Sequence, residues 1–159
     1  MALTAAQETT LAAHIRASQD AAVIAALAIR NDVELARLYN LASNTDAWRV
    51  AMSGRDLFEA TDVTKFDGLT AGKRDAWRLL LNFAPVDMTR QKNRKAAQDA
   101  WGNTDSVTVL QACTRKATVG EAALGGNSAT TNTVAALKLN WEGTLSTDDV
   151  SYALNRNPV

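Results

Sequence analysis

The sequence is poor in cysteine, histidine, proline and net charge, and each shortage excludes something. One cysteine, Cys113, cannot close an internal disulfide, so no oxidising compartment is required. One histidine, His14, lies on an Ala-rich stretch with no Cys, Asp or Glu at metal-ligand spacing, which predicts a partly exposed surface residue and no metal. Seventeen basic residues balance seventeen acidic ones. That balance argues against a dedicated nucleic-acid binder, whose affinity for phosphate needs an excess of clustered Lys and Arg. The longest apolar run, residues 21–29, is nine residues, about half a membrane span. The first residues, Met1-Ala2-Leu3-Thr4, lack the basic region and apolar stretch of a signal peptide. The expectation is a chain synthesised in the cytoplasm with no membrane partner.

What is present reads as helix. The 159 residues fit one domain, and long Ala-rich stretches favour helix because Ala has the best intrinsic propensity. Thr4 with Gln7, three residues on, forms a capping box for a helix over 4–17. Asp20 and Asp32 start further helices, and 46–52 and 55–60 read as two short ones between polar turn clusters. Thr70 opens a helix that Pro85 ends. Asp87 caps the next, over 88–101, with Gly102 where a C-terminal glycine belongs. Thr104 or Asp105 starts a longer one that runs to Leu124 before Gly125-Gly126. Ser146 with Asp149 caps a short last helix. The fold class this predicts is mainly α: a bundle of about six to eight helices over 1–126. A loop, a β segment (hairpin or arm) and a short terminal helix follow over 127–159, in one domain overall.

The β segment comes from a change of period. Over 133–141 apolar Ala135, Leu137, Leu139 and Trp141 alternate with Val134, Ala136, Lys138 and Asn140. A lone strand in a helical chain leaves both edges unpaired and needs a partner. Two partners are open. One is local, a small hairpin with Thr144-Leu145 or part of 43–67. The other is a strand of another chain. In the second case Leu137, Leu139 and Trp141 are the partner-binding residues of the arm.

No catalytic constellation is visible. Cys113 has no histidine close in sequence to activate it and reads as a small buried hydrophobe. Asp148 and Asp149 diverge by about 100° on a helix and do not share a site. Gly125-Gly126-Asn127 lacks the Lys and Ser/Thr of a phosphate loop. The expectation is a non-enzyme with no catalytic residue, cofactor or metal. Charge is uneven, however. Residues 73–99 hold seven basic against three acidic residues, a net of +4, against −3 over 1–72 and −1 over 100–159. Arg90, Lys92, Arg94 and Lys95 are therefore candidates for a surface facing DNA without sequence specificity, or an acidic protein.

Two stretches carry a resemblance. One is Trp77-Arg78-Leu79-Leu80-Leu81-Asn82-Phe83-Ala84-Pro85-Val86-Asp87, continuing through Arg90 and Arg94 to Ala100-Trp101-Gly102. The other is Leu137-Lys138-Leu139-Asn140-Trp141-Glu142-Gly143-Thr144-Leu145-Ser146, leading into Asp148-Asp149-Val150. Together they resemble small virion structural proteins of tailed bacteriophages, over about half the chain. The resemblance implies a virion component, best a ring-forming head–tail connector (adaptor or head-completion protein). Its partners would be portal or tail proteins and further copies of itself. Alternatives are a tail or fibre-attachment protein, or a small regulatory binding module.

Overall fold

The computed structural model describes residues 2–157. In chain order the elements are α1 (Ala5–Ala17), α2 (Ala21–Ala28), α3 (Asp32–Tyr39), β1 (Ala42–Trp48), α4 (Gly54–Glu59), α5 (Val63–Asp67) and α6 (Ala71–Asn82). Then follow α7 (Gln91–Ala112), β2 (Thr114–Thr118), α8 (Val119–Leu124), β3 (Gly126–Thr131), β4 (Val134–Leu139) and α9 (Thr147–Arg156). The strands form one four-stranded sheet in the order β2-β1-β4-β3.

This overturns the expected helical bundle. Helix takes 58% of the described residues and the mixed sheet 17%, so the protein is mixed α/β. Three of the four strands fall where the sequence reads otherwise. β1 occupies a stretch read as turns and the start of a short helix. β2 interrupts the helix expected to run to Leu124. β3 occupies the expected loop. β4 is not an arm either. It lies between β1 and β3, pairing in parallel with β1 in the register Ala47 to Leu137. Two residues connect it to β3, with Asn132 at φ 54°, so that pair is an antiparallel hairpin. Both edges of β4 are thus satisfied within the chain, and the sheet's edge strands are β2 and β3.

Local chemistry explains the helix boundaries. The capping boxes expected at Thr4 with Gln7 and at Ser146 with Asp149 are both formed. A third, Thr118 with Glu121, starts α8. Each satisfies two backbone donors that a helix start otherwise leaves orphaned. Gly102 divides α7 into two helices. At φ 76°, ψ 177° it sits in a region that side chains other than glycine's hydrogen strongly disfavour. Gly120 serves packing: a Cβ there would lie 3.2 Å from the Tyr39 carbonyl oxygen and 2.6 Å from a Leu145 methyl.

The chain divides into two compact units. Unit 1 is Met1–Thr45, Lys116–Gly126 and Leu139–Val159; unit 2 is Asp46–Arg115 and Asn127–Lys138. Unit 1 packs α1 and α3 against α9 around Leu11, Ile15, Leu35, Tyr39, Trp141, Val150 and Leu154. Its polar groups tie distant segments. Asn40 donates through Nδ2 to the Leu145 carbonyl and accepts from the Leu145 N–H, both at 2.8 Å. Arg156 reaches the buried Glu8 carboxylate at 3.1 Å. Unit 2 packs α6 against α7 around Trp48, Trp77, Met88, Trp101, Leu110, Val134 and Ala136.

Candidate protein-interaction surfaces

The candidate site residues of the expected arm are largely interior. Leu139 and Trp141 are buried and Leu137 is half-buried. Trp141 lies in the core of unit 1 and covers Gly143. The inward-facing members of β4 in unit 2 are Val134 and Ala136, from the other half of the alternation. With both edges of β4 paired and Trp141 in a core, the geometry gives this segment no free face for another strand.

The four basic candidates separate. Arg94 is 3% exposed. Its Nε donates to Thr131 Oγ1 at 2.8 Å, and its Nη1 to the Met88 and Thr89 carbonyls at 2.7 Å each. The guanidinium lies 4.9 Å over the Trp48 ring. Burial lowers its pKa, yet this cation organises the interior and does not reach outward. Arg90, Lys92 and Lys95 are exposed. Arg90 pairs with Asp87 at 3.1 Å and Lys95 with Asp99. Burial pushes the Asp87 carboxyl up, but hydrogen bonds from Thr89 and Arg90 outweigh it and hold it below the usual range.

The residues weighed for chemistry lie at separate elements of the fold, with these surroundings. The exposed His14 ring hydrogen-bonds the Tyr39 hydroxyl at 2.8 Å, and no group of three metal-ligating side chains occurs among the described residues. Asp149 is spent on the α9 capping box, while Asp148 is exposed. Cys113, the C-cap of α7, is buried. Burial pushes its thiol up to about 12, against a small opposing pull from Arg49. A thiolating or alkylating reagent is therefore expected to leave the native chain unmodified at pH 8 and add once in strong denaturant, read by intact mass. Because the folded thiol titrates well above the unfolded value of about 8.5, this burial stabilises the fold below that pH. The contribution is lost as pH rises from there toward about 12. Tyr39, also raised to about 12 by burial, acts in the same direction.

What the molecule does present is apolar surface. In unit 1 it centres on α2. Asp20 Oδ1 caps this helix, accepting from the Ala22 and Val23 N–H groups at 2.8 and 3.3 Å. The helix ends with Arg30 at φ 51°. There the Asn31 N–H reaches the Ala26 carbonyl and the Arg30 N–H the Leu27 carbonyl, the paired bonds of a Schellman motif. Between these ends no residue is charged. Only Val23 and Ala26 turn fully inward. Ile24 is exposed, Ile29 is 75% exposed and Val33, at the start of α3, is 67% exposed. An all-apolar helix is normally enclosed by protein; this one is covered on one side only.

In unit 2 the apolar surface is concave. Phe58 of α4, Val63 and Phe66 of α5, and Trp77 and Leu81 of α6 line a groove of about 240 Å³. Trp77 forms its floor, fully buried, with its Nε1 donating to Thr61 Oγ1 at 3.0 Å. Arg78 sits at the rim, 5.7 Å over the Phe66 ring. A second, wider depression is lined by Leu80, Phe83, Pro85, Arg90 and Lys92, with Phe83 71% exposed. The two units also differ in charge. Unit 1 carries five basic and eight acidic residues, a net of −3, and unit 2 twelve and nine, a net of +3.

No helix among the described residues is long and apolar enough to cross a membrane. No family model, no curated protein and no solved structure matches the chain.

Proposed function

We propose that this chain is a non-enzymatic structural subunit of a tailed-bacteriophage virion, a ring-forming adaptor at the head–tail junction. The observation that carries the reading is the exposed apolar surface. Ile24, Ile29 and Val33 in unit 1, and Phe58, Val63, Leu79 and Phe83 in unit 2, face solvent. Solvated apolar patches of this kind mark surfaces that another protein covers. The likeness of residues 77–102 and 137–150 to small virion proteins supplies the setting.

In this reading the contacts that build the assembly are made by helices and not by an added strand. The exposed Arg90, Lys92 and Lys95 leave a basic surface past which DNA can move without sequence-specific contact. Portal or tail proteins and further copies of the chain are the partners, the particle is the place of action, and the host cytoplasm is the place of synthesis. Quantitative mass spectrometry of particles purified from the phage or prophage that encodes the chain tests this. The expected result is peptides of the chain in a fixed small number of copies per particle. Peptides found only in the lysate and never in particles would remove the proposal.

A further inference from the structure

We infer that the partner covering both apolar surfaces is a second copy of this chain, and that the contact is heterologous. The α2–α3 face of one copy seats on the α4–α6 groove of the next. The inference rests on the ring-forming reading above and names the surfaces that would make the ring.

Two physical points favour this occupant. The first is charge. A copy that pairs unit 1 with unit 1 sets −3 against −3, and unit 2 on unit 2 sets +3 against +3. Only the crossed pairing is attractive. Near the two surfaces the complementary charges lie on α3 and α6. The segment from Asp20 to Arg37 holds three acidic and two basic residues around Ile24, Ile29 and Val33. On α6, Lys73, Arg74 and Arg78 stand against Asp75 alone, and Arg78 meets that aspartate loosely, at 3.7 Å. Residues 54–67 of α4 and α5 are net acidic, with Arg55 and Lys65 against Asp56, Glu59, Asp62 and Asp67, so the attraction falls on the α6 side of the groove. The second point is form. Unit 1 offers projecting aliphatic side chains, and unit 2 offers a groove whose rim residues Phe58 and Val63 are themselves exposed. Two different surfaces on one chain, each fitted to the other, give a head-to-tail contact. Such contacts propagate into rings or filaments where a two-fold contact stops at a dimer.

The test uses the purified full-length chain and size-exclusion chromatography with light scattering. One variant carries Ile29→Glu with Val33→Glu; the other carries Phe58→Glu with Val63→Glu. All four positions are exposed, so circular dichroism is expected to match the parent. The parent chain is expected to form species above the monomer mass that grow with concentration and shrink as salt is raised. Each variant alone is expected to be a monomer. Mixed in equal amounts, the two still own one intact surface each, and are expected to form a single species of two chains and nothing larger. A parent chain that stays monomeric at every concentration overturns the inference. So does a mixture that yields no dimer while the parent assembles, because that result belongs to a two-fold contact or to another surface. Should either variant misfold, zero-length cross-linking of the parent reads the same contact. A Lys73–Glu34 link between isotopically distinct copies supports it, and links confined to like segments, unit 1 to unit 1 or unit 2 to unit 2, overturn it. A chain that is monomeric in solution yet present in particles removes the self-contact and leaves the virion reading intact; a chain that assembles but is absent from particles does the reverse.

Discussion

Replacing Trp77 with alanine is expected to cost unit 2 about 4–5 kcal/mol, the upper part of the range for truncating a large buried aromatic. The indole is fully buried. It stacks edge-on against Trp101, with ring centroids 5.6 Å apart at 84°. Such a pair adds about 1 kcal/mol beyond its buried area. The lost hydrogen bond adds little. Thr61 Oγ1 keeps its own bond to the Leu57 carbonyl at 3.0 Å, so no buried group is orphaned. Since Trp77 also floors the α4–α6 groove, the cavity left behind opens toward that groove. Against a total stability of about 5–15 kcal/mol, this is a large fraction. Urea unfolding followed by Trp48 and Trp101 fluorescence reads it as a lowered midpoint with an unchanged slope. Trp77→Phe, which keeps most of the bulk and the edge-on partner, is expected to recover more than half.

Replacing Arg94 with alanine is expected to cost about 3–4 kcal/mol. Two carbonyls, those of Met88 and Thr89, lose a charged donor at 2.7 Å, and the Thr131 hydroxyl loses one at 2.8 Å. Bonds to a charged donor are worth about 1.5–3 kcal/mol each. The gain from no longer burying a cation offsets part of the sum. Lysine in its place is expected to restore less than half, because a point charge cannot reach three acceptors in the planar fork that a guanidinium provides. The contrast with Lys92 decides what this basic stretch does. Lys92 is exposed, and its alanine variant is expected to unfold within about 0.5 kcal/mol of the parent. If Arg94 faced DNA, its removal would weaken non-specific DNA binding and leave the unfolding midpoint alone. The burial and bonding of Arg94 require the opposite pair of results.

Much of the helical part of this fold is legible in the residues. Thr4 with Gln7 and Ser146 with Asp149 are capping boxes in the sequence and in the structure, and Gly102 breaks a helix where a glycine break is expected. The sheet was mostly illegible, for a physical reason. β1, β2 and β3 read ASNTDAW, TRKAT and GNSATT, and most of their residues are exposed or half-buried. Without a buried face they carry no alternation of apolar and polar positions, and only that alternation betrays a strand. β4 alone has enough aliphatic side chains to show its period. Its isolation in the sequence is what made it look like an arm in search of a partner. One signal was available: Thr118 and Glu121 form a capping box inside the expected long helix, which marks a new helix start and hence a break before it.

The candidate surfaces were legible in part. The run from Ala21 to Ile29 stands out in the sequence, but nothing local says that one side of it meets water. Arg94 misled in the other direction. Arginine is almost never fully buried, and its partners lie in the loop before α7 and, at Thr131, 37 residues on. The residues proposed for interaction, Ile29, Val33, Phe58 and Val63, belong to no motif, because an exposed apolar side chain has no sequence signature.

Cryo-electron microscopy of the purified particle, resolved well enough to trace this chain, is the most direct measurement. The expected density holds repeated copies around the axis of the head–tail junction. In it Ile29 and Val33 of one copy are covered by a neighbour, and β4 is enclosed by its own β1 and β3. Density in which the chain is missing, or in which both apolar surfaces stand open to solvent while β4 pairs with a foreign strand, would contradict the virion role and the helix-built contact.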